Sequence, residues 1–153
     1  MSARSRIGAT LVAAALTLGG AVCVAAPAQA AGPAVKIAKI YYDSPGSDKG
    51  ATTSLNAEYV DLRNTTTKTQ TITGWTLRDA GKFVYTFPRT TIAAGKTVRV
   101  HTGKGTASTA HRYWGKTWYV WNNDKDTATL RDKSGAQVHV CSYSSSAADY
   151  KTC

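Results

Sequence analysis

The amino-acid sequence predicts an all-β domain of the sandwich or barrel type, and three observations favour it. Residues 31–153 contain one Glu, no Met, four Leu and two Gln, so the residues that most favour helices are scarce. The same segment contains 20 Thr, 8 Val, 8 Tyr and 4 Trp, which suit a pleated, half-buried surface. Short runs of alternating apolar and polar residues recur between turn residues, as in antiparallel sheets with one buried face.

Nine strands follow from these runs. In the run 58–64, for example, Val60 and Leu62 lie on one face of the strand and polar residues on the other. Because neighbouring runs show the same alternation, we expect one buried and one solvated face for each sheet. The predicted strands are 35–42, 58–64, 69–72, 75–78, 83–87, 97–101, 118–121, 127–131 and 136–140.

Turn-forming residues separate the predicted strands. Gly81 suits the positive φ of a tight hairpin in residues 79–81, and residues 132–135 are typical of a type I turn. Residues 103–117, rich in Gly, Thr, Ala and basic residues, are predicted to form the longest loop. Residues 144–153 show no clear pattern and are predicted to be a tail.

The first 30 residues resemble a secretory signal peptide. Arg4 and Arg6 precede an apolar segment, residues 7–24, and Ala28 and Ala30 flank the small-x-small pattern after which a signal peptidase cuts. Removing this segment leaves 17 basic and 9 acidic residues, a net charge of +8. No further apolar run could act as a transmembrane anchor. We therefore expect a secreted, extracellular domain, for which association with the cell wall is one location.

Aromatic residues are predicted to build the core. The 12 Tyr and Trp rings of residues 31–153 compensate for few aliphatic residues, since each ring can bury on the order of 150–250 Å². Trp118 and Trp121 point to opposite faces of their predicted strand, so one of them should be exposed and available for binding. Four aromatic residues are assigned to the core: Trp75, Phe83, Tyr85 and Phe87.

The cysteines predict one disulfide. Cys23 belongs to the predicted signal peptide, so Cys141 and Cys153 remain, and an even number in a secreted domain indicates a bridge. The bridge would close a loop of 13 residues and tie the tail to the last predicted strand. In the chain-entropy model, such a bridge stabilises the fold by about 3 kcal/mol.

Residue patterns for catalysis and metal binding are weak. No nucleophile motif accompanies His101, His111 or His139, of which the first and last are predicted to be solvated strand residues. With Glu58 as the single Glu, paired carboxylates for glycoside hydrolysis are in short supply. We predict no cofactor, no catalytic residue and no metal ligand, although residues 122–126 leave calcium binding open beside a plain β-turn.

Six blocks of the sequence resemble the lamin tail domain family, in the family's order and over residues 35–143. The resemblance implies an immunoglobulin-like antiparallel β-sandwich of about eight or nine strands. It also implies a stand-alone bacterial member, and contacts with DNA, membrane or protein are associated with the family. The blocks are NAEYVDLRN (56–64), TGWTLRD (73–79), YTFP (85–88), AGKTVRVHTG (94–103), WNND (121–124) and ATLRD (128–132).

Charge and aromatic residues then suggest the function. Interleaved cations and rings are what binding of polyanions and single-stranded nucleic acid requires, although a basic surface also serves solubility. We predict a non-enzymatic module for nucleic acid or an anionic cell-wall polymer, with a glycan- or protein-binding module using exposed Tyr and Trp as the alternative. The candidate residues of the long loop are Lys104, Arg112, Tyr113, Trp114 and Lys116, and the strands contribute Arg63, Arg78, Arg99 and Arg131.

Overall fold

Two β-sheets pack against each other in the structure, a computed structural model that describes residues 32–153. The predicted signal peptide lies outside the described residues. In chain order the elements are β1 (Val35–Tyr41), α1 (Thr52–Ala57), β2 (Tyr59–Asn64), β3 (Gln70–Thr71), β4 (Thr76–Arg78), β5 (Val84–Thr86), β6 (Thr91–Ile92), β7 (Thr97–His101), β8 (His111–Tyr113), β9 (Lys125–Arg131), β10 (Gln137–Ser144) and β11 (Tyr150–Thr152).

The two main sheets differ in size. One has five strands in the order β11–β1–β2–β7–β8, and the other has four in the order β10–β9–β4–β5. Strands β3 and β6 form a separate two-stranded ribbon. Every pair is antiparallel except β7 and β8, which run parallel. The all-β sandwich predicted from the sequence is confirmed.

Alternation places the apolar residues of the five-stranded sheet inside. Val60 lies opposite Ile40 and Val100 in the strand registers, and all three are buried. A bulge between Ile37 and Lys39 restores the alternation of β1 after one extra residue. The other side chains of these strands therefore form a continuous outer face.

The core contains two of the four rings assigned to it from the sequence, together with rings that were not assigned to it. Tyr85 and Phe87 are buried and pack edge to face at 4.9 Å between centroids. Trp75 and Phe83, which were predicted to be core residues, are only half-buried, because each lies just before its strand at the margin of the core. Trp121 is the largest fully buried side chain.

Residues 118–121 form an irregular segment held by Glu58, and the prediction of a strand there was wrong. The fully buried Glu58 Oε1 accepts hydrogen bonds from Thr102 Oγ1 at 2.6 Å, the Val120 amide at 2.9 Å and the Trp121 amide at 3.4 Å. This carboxyl group supplies the acceptor that a neighbouring strand would otherwise provide. Burial is the largest cause that raises the pKa of Glu58 from 4.5 to about 7.

The last residues complete the five-stranded sheet. Cys141 and Cys153 form the predicted disulfide, with 5.9 Å between their Cα atoms. Residues 150–152, which carry no clear sequence pattern, form β11 and pair with β1. The bridge thus links the end of the five-stranded sheet to β10 of the four-stranded sheet.

Candidate functional site

Five aromatic rings form one row across the outer face of the five-stranded sheet, one ring from each strand. The registers place Tyr41 opposite both Tyr59 and Tyr150, and place His101 opposite Tyr59 and beside Tyr113. Ring centroids lie 6.0, 5.3, 6.2 and 4.8 Å apart along the order Tyr150–Tyr41–Tyr59–His101–Tyr113. Four rings are half-buried, and Tyr150 is 47 % exposed. We call this set the aromatic row.

Two cations from the next row of side chains lie over these rings. Lys39, Asp61 and Arg99 align across β1, β2 and β7, two residues along from the aromatic row. The Arg99 guanidinium carbon lies 3.5 Å from the centroid of Tyr59, and Lys39 Nζ lies 4.4 Å from that of Tyr150. Each contact of this kind contributes roughly 0.5–1 kcal/mol at an exposed site. Cations and rings therefore form one mixed surface.

Positive charge exceeds negative charge on this face. Arg99 donates two hydrogen bonds to the Asp61 carboxylate, from Nε at 2.8 Å and Nη2 at 3.0 Å, so this bidentate pair is neutral overall. Lys39 and the exposed Arg63 make no ion pair with the described residues. Asp149 adds one negative charge beside the aromatic row, where its Oδ2 lies 3.5 Å from the Tyr41 hydroxyl oxygen. The face can therefore attract an anion through Lys39 and Arg63, which are not paired with a carboxylate of the described residues.

A hydrogen bond joins His101 of the aromatic row to the neighbouring His111. His101 Nδ1 lies 2.6 Å from the Asn56 carbonyl oxygen and must donate to it, since a carbonyl oxygen only accepts. His101 Nε2 lies 2.9 Å from His111 Nδ1, so one hydrogen joins the two rings. Burial is the largest cause that lowers the pKa of His101. His101 was predicted to be a solvated strand residue, but it is half-buried and hydrogen-bonded.

The family of the chain follows from a comparison with known families. Residues 28–145 match the sequence model described as Lamin Tail Domain, a match that includes every strand of the aromatic row except β11. The chain belongs to the lamin tail domain family. Lamin tail domains are non-enzymatic interaction modules, and their immunoglobulin-like fold confirms the fold predicted from the sequence. No curated protein matches the chain.

This lamin tail domain does not bring the five loop candidates together. Tyr113 belongs to the aromatic row, and the exposed Lys104 lies in the segment before β8. That segment passes so close to the row that a Cβ on Gly105 would lie 2.3 Å from the Tyr113 ring, which explains the glycine. Arg112 lies opposite Val100 in the parallel register and therefore points inward, where it is 8 % exposed. Its assignment to an exposed binding surface was wrong.

The last two loop candidates lie on another side of the lamin tail domain. Trp114 is half-buried, with ring centroids 5.7 Å from Tyr85 and 6.1 Å from Trp121. Lys116 Nζ lies 4.3 Å from the centroid of Phe83. These contacts tie the residues after β8 to the core margin, away from the aromatic row.

A second candidate surface surrounds Trp118, whose side chain is 60 % exposed. A cleft of about 410 Å³ is lined there by Trp118, Asp48, Asn122 and Asn123, among others. The Asn123 amide donates to Asp48 Oδ2 at 3.0 Å and also to Asp43 Oδ1 at 3.1 Å. An exposed ring beside polar amides and carboxylates is an arrangement that could take a neutral sugar.

In the turn 122–126, considered above for calcium, the Asp126 carboxylate makes protein contacts. Asp126 Oδ2 accepts from the Asn122 amide at 3.2 Å and from Asn122 Nδ2 at 3.0 Å. Asp126 Oδ1 accepts from the backbone amides of Ala80 and Thr127. Within residues 32–153, moreover, no three His, Cys, Asp or Glu side chains converge around a point that could hold a metal. These hydrogen bonds fix the Asp126 carboxylate at the start of β9.

Sequence reasoning missed most of the aromatic row. Tyr41, Tyr59 and His101 occupy outward positions near the ends of three predicted strands, and this shared feature was the available signal. Their alignment depends on which strands are neighbours and in which register, neither of which alternation reveals. The position of Tyr150 could not be predicted, because the residues of β11 show no alternation of apolar and polar side chains.

Proposed function

We propose that this lamin tail domain is a secreted, non-enzymatic interaction module that contacts an extracellular polyanion through the outer face of the five-stranded sheet. The observation that carries the proposal is the aromatic row, flanked by Lys39 and Arg63. Cations attract any polyanion, whereas rings and stacked guanidinium groups also bind the bases of single-stranded nucleic acid. Because this face has both, we favour single-stranded nucleic acid over an anionic cell-wall polymer.

A sheet face suits this chemistry. In known RNA-binding modules, aromatic side chains on the open face of a small antiparallel sheet stack two or three bases. Here the Arg99 guanidinium lies against Tyr59 and can offer its own plane to a base, while Lys39 and Arg63 remain free for phosphates. The direction of the aromatic row, across the strands, supports a ligand that runs from β11 to β8.

Export from the cell is part of the proposal. The predicted signal peptide supports it, and so does the Cys141–Cys153 bridge, since disulfides persist in oxidising compartments. Within residues 32–153, no helix is long and apolar enough to cross a membrane. We propose an extracellular location, with retention at the cell wall as an outcome that a cationic face allows.

The test compares two polyanions. Fluorescence anisotropy would measure the binding of labelled oligothymidylate and of polyphosphate of matched charge over a range of salt concentrations. We expect log Kd to rise with log salt with a slope of about 1.4, since Lys39 and Arg63 can neutralise two phosphates and each contributes roughly 0.7 for a single strand. Oligothymidylate should bind at least about tenfold more tightly, because stacking is worth roughly 1–3 kcal/mol per base. Equal affinities would favour the cell-wall polymer, and binding insensitive to salt would contradict both.

A neutral glycan is the second candidate ligand, and the exposed Trp118 favours it. The Trp118 cleft offers an indole face beside Asp48, Asn122 and Asn123, which can hydrogen-bond sugar hydroxyls. Tryptophan fluorescence during titration with neutral oligosaccharides tests it, with Trp118→Ala as the comparison. A saturable change in the wild type that Trp118→Ala abolishes would establish this function, and a flat titration would remove it.

A further inference from the structure

A deep cleft lies on the inner side of β8, away from the aromatic row. It has a volume of about 610 Å³ and opens between residues 89–97 and residues 109–112. Three of its lining residues, Arg89, Lys96 and Arg112, are basic, several carry hydroxyls, and none is acidic. The composition of this wall is suited to an anion.

Arg112 is a buried cation in this wall. Its side chain is 8 % exposed, and Nε donates to Thr90 Oγ1 at 3.0 Å. Nη1 donates to the carbonyl oxygens of Ser108 and His111, the latter at 2.8 Å. All three acceptors are uncharged, and Nη2 has no hydrogen-bond partner among the described residues. The guanidinium is therefore fixed in place while one nitrogen remains free to bind.

No carboxylate compensates this charge. The salt bridge found within residues 32–153 joins Arg99 to Asp61 on the opposite side of the sheet, so Arg112 has no acidic partner there. An arginine side chain does not lose its proton in proteins, and burying an unpaired charge costs several kcal/mol. Arg99 shows the usual solution, a bidentate carboxylate. No carboxylate of the described residues pairs with Arg112 in this way, so an anion bound from solution could take that role.

We propose that this cleft is a binding site for a tetrahedral oxyanion, a phosphate or sulfate group. Arg112 Nη2 would donate to it from the base of the cleft, and Arg89 and Lys96 would supply charge from the exposed rim. Thr91, Thr97 and Thr109 add hydroxyl donors along the wall. This site is separate from the aromatic row, because Arg112 and the row lie on opposite sides of the sheet.

The test follows the Arg112 Nε–H signal of the full-length chain by NMR. Inorganic phosphate, and separately sulfate, replaces chloride at constant ionic strength. We expect a saturable shift of this signal with at least one of the two anions. The double variant Arg89→Gln, Lys96→Gln should weaken binding roughly tenfold, because it removes two exposed charges whose attraction for the anion is screened by solvent. Both substituted residues are exposed, so folding should be unaffected.

The matched control is Arg78→Gln, Arg131→Gln, which removes the same charge from the outer face of the four-stranded sheet. It should leave the affinity within about twofold. The proposal is overturned if the Arg112 signal responds to phosphate and sulfate no more than to chloride, or if the control weakens binding as much as the rim variant does.

The source of the oxyanion is tested in a further arm. Oligothymidylate with and without a 5′-phosphate would be titrated in the same way. A stronger Arg112 response to the phosphorylated end indicates that the cleft takes the terminus of a polymer. A response to inorganic phosphate alone indicates a free ion, and both results support the site.

Discussion

The two outer faces of the sandwich have similar charge but different chemistry. The outer face of the five-stranded sheet carries the aromatic row together with Lys39, Arg63 and the Arg99–Asp61 pair. The outer face of the four-stranded sheet carries Arg78, Arg131 and Lys125, but its remaining outward positions in the described strands are mainly Thr, Ser and Val. Both faces can attract a polyanion, whereas only the first offers rings to its bases.

This difference shows that net charge is a poor guide to the binding face. A count of Lys and Arg residues would rank the two faces as equally good binding surfaces, and would rank the long loop above both. What distinguishes the five-stranded face is register, since one ring on each of five strands falls at the same level. The comparison can therefore be tested by changes that remove rings or charges from one face at a time.

The largest effect should come from removing rings. Tyr41→Ala together with Tyr59→Ala deletes the middle of the aromatic row, and the binding of oligothymidylate should weaken by roughly 2–6 kcal/mol, at least about 30-fold. Fluorescence anisotropy measures this loss, and circular dichroism checks that the fold persists. The matched control is Thr76→Ala with Thr129→Ala on the opposite face. Equal losses in both variants would show that the aromatic row is not the binding surface.

Removing the disulfide should affect the two faces unequally. Cys141→Ser with Cys153→Ser should destabilise the domain by about 3 kcal/mol and lower Tm by roughly 10 °C. Because β11 is a short edge strand with exposed residues, it should lose order first and take Tyr150 out of the row. Hydrogen exchange should rise in β11 and β1 more than in β4 and β9. Uniform acceleration would indicate that the bridge does not act locally.

The stability of the domain should fall as pH rises through the titration of Glu58. Its pKa is raised from 4.5 to about 7, so the folded state retains a proton that the unfolded state loses. The stabilisation is fully present below about pH 4.5 and is lost as the pH passes 7, a change of about 3 kcal/mol. Glu58→Gln should flatten this dependence in denaturant titrations at about pH 5 and about pH 8, and an unchanged slope would contradict it.

Charge removal should have a smaller effect and should separate the two faces directly. Lys39→Gln with Arg63→Gln should weaken oligothymidylate binding roughly tenfold and reduce the salt slope by about 1.4, at roughly 0.7 per phosphate contact. Arg78→Gln with Arg131→Gln removes the same charge from the other face and should change affinity less than about threefold. Anisotropy at several salt concentrations measures both. Equal losses of affinity in the two double variants would mean that binding depends only on net charge.

The smallest effect should be that of pH on binding. As pH falls, His101 gains a proton within the aromatic row, so affinity for a polyanion should rise a few fold. Arg99 opposes this proton and Asp61 favours it, while burial, the largest cause, lowers the pKa of His101 and delays the change to lower pH. His101→Gln should remove the increase, as measured by anisotropy at about pH 5.5 and about pH 8. An identical increase in the variant would assign it to another group.

The strands with strong alternation could be predicted from the sequence. In β1, β2 and β7, buried Val, Ile and Leu residues alternate with polar ones, and these strands form the middle of the five-stranded sheet. The short α1, β6, β8 and β11 could not be predicted, because two to six residues give too little periodicity. Residues 118–121 were misread because Glu58 satisfies backbone amides that would otherwise require a strand.

The binding residues were harder to predict than the fold. Arg112 was assigned to an exposed loop, but it lies on a parallel strand whose middle residue points inward. Trp75 and Phe83 were assigned to the core by ring size, although their positions at strand ends leave them half-buried. In each case the unknown was the direction that tertiary pairing gives the side chain.

An NMR titration of the uniformly labelled chain with oligothymidylate tests the central claim most directly. The account predicts that the largest shift changes fall on Tyr41, Tyr59, His101 and Tyr113, with little change at Thr76 and Thr129. Changes centred on the four-stranded face, or confined to Lys104 and Lys116, would contradict it.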